Sequence, residues 1–416
     1  MSLPKQKFLD ISGIDWMISY VRWASRVLPS GSNNFSVLAD VTDSFDYEEF
    51  ENRISGLKNI RGFLSGKIKR SFRYWRPFWC YEENGSKGIH CSLNRQDQEI
   101  CIHNKLPAGI SVKTVYFEKR KKLLFTFSHA VFDGIGAEKF IAFLLQKEQV
   151  CDKLSVRSIP INIPAMRENG RELQKVMKKF PEKQILRLPE VYKNTENSFE
   201  SITISAEKYY SMEKYIENKY GPFSVSQFIF ALILCGLEKN VFSKLPSACE
   251  YIFIPMSVDL RNTEKEDCDM FFNHWSLMPL LISRKVLTRG VPDSIQHLRQ
   301  LYTKALAQRI PQLFYHASEA MKYLPLYAID LFSRCSPAKT LGTMMFSFLN
   351  STHCSREQIS NLAHYPNMPY GNNLGFFVNI CNGNLNIVIS RREWQDAGDF
   401  ERFCKEIRKQ LEEETI

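Results

Sequence analysis

A chain of 416 residues exceeds what one ordinary hydrophobic core supports, so its length predicts two domains. Its 44% hydrophobic and 24% charged residues are typical of a globular protein and exclude wholesale disorder. The formal net charge of +10 favours anionic partners such as nucleic acid, acidic lipid, phosphorylated small molecules or an acidic carrier protein, without choosing among them.

The N-terminus, Met1-Ser2-Leu3-Pro4-Lys5, lacks the apolar stretch of a signal peptide. Alternating apolar residues predict a strand over 34–40, and Phe50 and Ile54 mark one face of a helix over 46–57. Residues 72–79 interleave Arg73 and Arg76 with five aromatic rings. A strand with an aromatic core face is the simpler reading; base stacking or a lipid interface is the alternative. Strands over 110–118 and 123–128 flank Lys119-Arg120-Lys121-Lys122, which reads as a solvated hairpin turn. A helix over 136–146 follows, with Phe140, Ile141, Leu144 and Leu145 at helical spacing.

Residues 150–195, punctuated by Pro160, Pro164, Pro181 and Pro189, read as a linker. This places the domains at 1–185 and 186–416. Beyond it come a buried helix over 224–237, strands over 251–254 and 276–283, and a helix over 293–307. The longest apolar run, 228–237, is too short to span a bilayer. Asn382-Gly383 predicts a two-residue hairpin between strands 375–381 and 385–391, and 398–413 reads as an amphipathic helix.

Several chemistries are absent from the sequence. There is no GxSxG elbow, phosphate loop or HExxH, and Gly134-Ile135-Gly136 lacks the third glycine of a dinucleotide fingerprint. The 11 cysteines contain no CxxC pair, which argues against a disulfide framework and suits a reducing cytoplasm. His90-Cys91 and His353-Cys354 lack partners at metal-ligand spacing, so no metal is expected.

The segment Phe125-Thr126-Phe127-Ser128-His129-Ala130-Val131-Phe132-Asp133-Gly134 stands apart. A histidine closes an apolar strand, and an aspartate and a glycine follow at the mouth of a helix. A neutral imidazole there can accept a proton from a hydroxyl or amine near neutral pH. Gly134 and Gly136 let the backbone turn sharply. The surrounding Phe125, Phe127, Phe132, Phe271 and Phe272 suggest an apolar pocket, hence a lipid-like or secondary-metabolite acceptor.

This segment resembles the active-site motif of the chloramphenicol-acetyltransferase-like (HxxxD) superfamily, which includes peptide-synthetase condensation domains, wax-ester/diacylglycerol acyltransferases and alcohol acetyltransferases. The strand Ile254-Pro255-Met256-Ser257-Val258-Asp259-Leu260-Arg261 is similar to the superfamily's Pro-Val-Ser/Asp-Leu-Arg strand, and Phe272-Asn273-His274-Trp275-Ser276 to its Gly-Asn strand. Asn350-Ser351 loosely resembles its Ser-Asn element. Three departures are visible: Ser128 stands where many bacterial members have a first histidine, Phe272 stands where the Gly-Asn strand has glycine, and the Asp-Phe-Gly-Trp-Gly motif of the plant members is missing.

The resemblance implies an α/β fold of two similar sandwich halves, with mixed sheets, packed helices and a tunnel between the halves. It implies an acyltransferase in which His129 is the general base, Gly134 permits the turn, and Asp133 is structural and paired with Arg261. Asn350 or Ser351 would serve the oxyanion. The donor would be an acyl-CoA or a phosphopantetheine thioester, with no tightly bound cofactor and no covalent acyl-enzyme. Partners would be the small-molecule acceptor and the donor, an acyl carrier protein being a further partner that the resemblance allows. Nucleic acid is not expected, and membrane contact is peripheral at most. The alternatives are a free-standing amide-forming condensation enzyme and an inactive scaffold of the same fold.

Overall fold

The computed structural model describes residues 6–26, 33–70, 76–83, 87–102, 105–145, 163–179, 184–188, 197–245, 248–261, 270–334, 342–351, 357–369, 371–392 and 397–413. Its first half runs β1 (Gln6–Asp10), α1 (Gly13–Ser25), β2 (Asn34–Val41), α2 (Tyr47–Gly56), α3 (Lys58–Leu64), β3 (Lys67–Arg70), β4 (Pro77–Glu82), β5 (Gly88–Asn94), β6 (Ile110–Phe117), β7 (Lys122–Ser128) and α4 (Gly134–Leu145). Next come α5 (Ile163–Met177), β8 (Asn197–Ile204), α6 (Ala206–Tyr220), α7 (Val225–Asn240), β9 (Tyr251–Asp259), β10 (Trp275–Ser283), α8 (Arg284–Leu287), α9 (Val291–Ala307), α10 (Ile310–Met321) and α11 (Leu326–Arg334). The chain ends with β11 (Met345–Ser351), β12 (Ile359–Pro366), β13 (Leu374–Cys381), β14 (Asn384–Arg392) and α12 (Ala397–Glu413).

Among the described residues these strands form three sheets, ordered β12-β2-β7-β6-β5, β10-β9-β11-β13-β14-β8 and β1-β4-β3. The five- and six-stranded sheets are mixed: β5–β6, β11–β13 and β9–β11 are parallel, and the remaining pairs are antiparallel. The fold is thus α/β with mixed sheets and packed helices, as the motif resemblance implies.

Two large cores account for it. In the first half Leu123, Phe125 and Phe127 of β7 join Phe50 of α2 and Phe140 of α4. In the second half β9, β11, β13 and β14 send one face toward α7 and α12, where Phe230, Phe346, Phe376 and Phe403 are fully buried. Each such ring removed from water stabilises by roughly 2–3 kcal/mol. One strand crosses between the halves. β12, from residues 359–366, pairs with β2 from Ile359↔Val41 to Pro366↔Phe35 and completes the first-half sheet.

The stretch read as a linker contains the helix α5, whose side of α10 it packs against. Pro164 sits in its first turn, where proline's missing N–H costs nothing, so its punctuation marks a helix start. Pro160, Pro181 and Pro189 lie outside the described residues. So do 72–75 of the aromatic stretch, while Pro77–Glu82 is a strand with Trp79 and Tyr81 in the core. The basic run forms the tight connection of β6 to β7, with Lys121 at φ 49°, Lys121 paired to Asp43 and Lys122 to Asp40. The apolar run extends further than the sequence suggested: Val225–Lys244 is long and apolar enough to cross a membrane, and 72% of its most apolar window is buried inside the protein.

Candidate active site

β7 ends at Ser128, and the N–H groups of Val131 and Phe132 both donate to Ser128 O, at 3.0 and 3.1 Å. This tight turn lifts His129 out of the strand. α4 then starts at Gly134, with Ala137 N donating to Asp133 O at 2.9 Å. Asp133 is therefore the N-cap, and its Oδ1 accepts from Gly136 N at 2.8 Å. A carboxylate suits that position because the first turn presents unpaired donors and the positive end of the helix dipole.

The same carboxylate reaches into the second half. Its Oδ1 accepts from Arg261 Nη2 at 2.6 Å and its Oδ2 from His274 N at 2.9 Å. Both side chains are almost fully buried, 7% and 6% exposed. Burial alone would raise the Asp133 pKa, but Arg261 and the backbone donors outweigh it and hold the carboxyl below its ordinary value. Burial likewise works against the Arg261 charge, and Asp133 with Asp259 raises its pKa instead. Arg261 Nη1 donates to Asp259 Oδ1 at 2.8 Å, so the guanidinium fork spans two carboxylates.

The turn is fastened a second time by the 271–274 segment. Phe272 N donates to Val131 O at 2.5 Å, and Phe132 and Phe272 form a parallel bridge. Phe272 has φ 67°, the left-handed region that favours glycine. This accounts for glycine at the corresponding position of the motif it resembles. Here the ring is 4% exposed, against Phe63 at 5.7 Å and Trp79 at 5.9 Å, and that burial offsets the backbone cost.

Asn273 Nδ2 donates to His129 O at 3.0 Å, which fixes the peptide carrying the imidazole. Asn273 is itself held by Asp15 of α1, whose Oδ1 accepts from Asn273 N and Nδ2, both at 2.9 Å. The Asp15 Oδ2 closes a capping box on Ser12, so the start of α1 is built to deliver this carboxylate. Burial pushes the Asp15 pKa up, opposed by hydrogen bonds from Ser12 and Asn273. α1 is in turn locked to the second half, since Gly13 N donates to Glu319 Oε1 at 2.6 Å and Trp16 Nε1 to Leu324 O at 2.9 Å. The pattern Ser12-x-x-Asp15 was legible as a helix start, but its reach to Asn273 was not. No local motif marks Asp15 or a role for Asn273.

His129 is half-buried, its ring edge-on to Phe35 at 5.4 Å. Nδ1 is buried without a hydrogen-bond partner among the described residues. Burial lowers the imidazole pKa, with the Asp133 charge the largest influence pulling the other way. The ring is therefore neutral at pH 7 and retains one nitrogen lone pair for a proton.

His129, Asp133, Gly134 and Arg261 are thus brought together. Asn350 is not. Phe346 stacks on Phe230 at 4.0 Å, within the second-half core, and strand alternation puts exposed Asn350 on that same face of β11. Leu349 and Ser351 take the opposite face, toward α4. A Cβ on Gly134 would lie 2.9 Å from Leu349 Cδ1. Ser351 Oγ donates to Glu138 Oε1 at 2.6 Å, and His364 Nε2 lies 2.7 Å from the same oxygen. The Ser351 hydroxyl is thus engaged by Glu138.

The phenylalanines of the motif also differ from expectation. Phe125, Phe127 and Phe132 are fully buried and Phe271 nearly so, packed on one another and on Phe140. They back the turn, and none of them lines the cavity that reaches it. A cavity of about 750 Å³ reaches the turn instead from the Ser128 and Ala130 side. Among the described residues no three His, Cys, Asp or Glu side chains gather as a metal site.

No family model and no curated protein sequence matches the chain. Solved structures do. A trichothecene 15-O-acetyltransferase from Fusarium sporotrichioides superposes with a TM-score of 0.68 at 12% identity, covering 99% of this chain and 95% of that one. The condensation domain of the monacolin K polyketide synthase gives 0.63 at 10% identity, covering 100% and 98%. The starter condensation domain of rhizomide synthetase, solved with C8-CoA and Leu-SNAC, gives 0.62 at 9% identity, covering 98% and 94%. The chain has the two-lobed fold that these acetyltransferase and condensation structures share, in agreement with the superfamily resemblance of its motif.

Proposed function

We propose that the protein is an acyltransferase that moves an acyl group from a thioester to a hydroxyl or amine, with His129 as general base. The observation that carries this reading is the half-buried, neutral imidazole held at the junction of the two halves. Its carbonyl is bound by Asn273, and its loop is clamped by Asp133 and Arg261. The shared fold supports the same reading, since structures with it include an acetyltransferase and a domain solved with an acyl-CoA.

In this mechanism His129 takes the proton of the acceptor X–H as X attacks the thioester carbonyl. The C–S bond breaks as the C–X bond forms, and the imidazolium returns the proton to the leaving thiolate. Burial favours this cycle because a base with a lowered pKa is unprotonated at neutral pH. The tetrahedral oxyanion needs a donor. Ser257 of β9 and Ser347 of β11 are two candidate hydroxyls. The register Phe346↔Met256 sets them side by side, on the strand faces opposite the second-half core, and both are half-buried. Asp133 stays structural, its oxygens being taken by Arg261, Gly136 and His274.

The test is turnover of acyl-CoA thioesters against hydroxyl and amine acceptor libraries, read as thiol release and product mass. Thiol release with a matching acylated product supports the reading. A folded protein that yields neither with any CoA or carrier-bound thioester refutes it.

A further inference from the structure

An imidazole that takes a proton must be held in one orientation, commonly by a hydrogen bond to its second nitrogen. His129 has no such bond. Its Nδ1 is buried without a partner among the described residues, and the Asp133 oxygens are taken by Gly136, Arg261 and His274. The imidazole rests instead on Phe35 of β2, edge-on at 5.4 Å.

Phe35 is held from two sides. It stacks on Phe127 of β7 at 5.6 Å, and on His364 of β12 at 6.5 Å with the ring planes 24° apart. His364 arrives there because β12 crosses from the second half and pairs His364 with Val37 of β2. Its ring is anchored at the far end, where Nε2 lies 2.7 Å from Glu138 Oε1. The same oxygen accepts from Ser351 Oγ at 2.6 Å. That bond fixes the ring plane of His364 whichever partner carries the proton. Glu138 stands one helical turn beyond Gly134, on the same face of α4, and a Cβ on Gly134 would lie 3.9 Å from His364 Cε1.

Glu138 and His364 are 1% and 4% exposed. Among the described residues no lysine or arginine pairs with Glu138. A buried pair of this kind contributes little net stability, because desolvation offsets the attraction. Its place is more telling. It completes a column, Glu138 to His364 to Phe35 to His129, that starts on α4 and returns to the turn from which α4 springs. We propose that Glu138 and His364 are positioning residues for His129: the carboxylate fixes the His364 ring, that ring fixes Phe35, and Phe35 holds the imidazole in one orientation. The consequence for rate rests on the general-base reading; the consequence for the imidazole itself does not.

Two substitutions interrupt the column at different points. His364→Gln keeps an amide donor for Glu138 and deletes the ring from Phe35. Phe35→Leu keeps apolar volume and deletes the edge contact with His129. NMR titration of the full chain with ¹³C-labelled histidine reads the His129 Cε1–H signal, identified by its loss in His129→Ala, without requiring turnover. Burial lowers the His129 pKa from 6.5 in the parent, so an imidazole released from Phe35 should titrate closer to 6.5 in each variant. In turnover assays kcat should fall by roughly tenfold to a hundredfold with KM little changed, the scale of a small misplacement of a catalytic group. The double variant should lose no more than the worse single one, because both cut the same column. Circular dichroism melts check folding, and Phe35→Leu carries the test if His364→Gln does not fold. A His129 midpoint equal to the parent's in a folded variant overturns the positioning role, and in an active enzyme so does an unchanged kcat. A pair with a purely structural role lowers Tm and leaves both where they were. The two readings fail separately. A shifted midpoint in a protein that turns over no thioester keeps the positioning and refutes the acyltransferase. Turnover with midpoint and kcat unmoved keeps the enzyme and refutes the positioning.

Discussion

Removing either partner of the Asp133–Arg261 pair tests whether this contact holds the His129 turn to the second half. Asp133→Ala removes the carboxylate from Arg261 Nη2 and orphans the N–H groups of Gly136 and His274. The Arg261 charge keeps Asp259. Arg261→Ala leaves a buried carboxylate with two backbone donors and no cation. Breaking one side of a buried pair typically costs about 3–5 kcal/mol. Asp133→Ala belongs at the upper end because it also removes a helix cap, worth about 1 kcal/mol. Arg261→Ala belongs at the lower end because the two N–H groups still face the carboxylate. Each should lower Tm by roughly 5 °C. The double variant should fall short of the summed losses by about 2 kcal/mol, since the second substitution removes a charge already stranded.

The pair also predicts a pH signature. The folded Asp133 pKa lies below its ordinary value of about 3.9. Its contribution is therefore complete above about pH 4 and is lost as the pH falls through the lowered folded value. Thermal melts from pH 3 to pH 8 should show a gap between the parent and Arg261→Ala that is widest at neutral pH and narrows in acid, because the buried Asp133 carboxylate left without its cation takes up a proton at higher pH than in the parent. Additive losses in the double variant, or a gap that persists undiminished into acid, would falsify the reasoning.

His129→Ala should reduce turnover by roughly 10²–10⁴-fold with little change in Tm, and a folded variant that keeps its rate ends the general-base assignment. Because burial lowers the His129 pKa from 6.5, kcat/KM should be flat through neutral pH and fall only below about pH 6.5; an acid limb centred above pH 7 contradicts this. Gly136→Ala should unfold the turn or abolish turnover, because its Cβ would lie 2.4 Å from the Met270 carbonyl oxygen. Gly134→Ala should be milder, since it meets only the end of the Leu349 side chain, and circular dichroism melts of the two proteins compare them directly. Phe272→Gly relieves a φ of 67°, worth about 1–2 kcal/mol, yet removes a buried ring at a cost of about 3–5 kcal/mol. Urea denaturation should show a net loss of about 2–3 kcal/mol, and a stabilised variant would show that the ring contributes nothing there.

Local pattern determined a good deal here by itself. Alternation and helical spacing located β2, β6, β7, α4, α7, α9 and the β13–β14 hairpin, because each buries one continuous apolar face whose period is written in consecutive residues. The motif around His129 and the arginine at 261 were legible for the same reason, as short runs of fixed residue types. Tertiary structure decided what those runs meet. β12 lies 318 residues beyond its partner β2 in pairs such as Ile359↔Val41, and no local period encodes such a pairing. Asp15 and Asn273 are separated by 258 residues, so their shared role at His129 appears only when α1 docks on α10. Asn350 and Ser351 are adjacent in sequence, yet β11 leaves one exposed and turns the other toward Glu138. A strand separates neighbours onto opposite faces, and only the packing of the two halves determines which face looks toward the site.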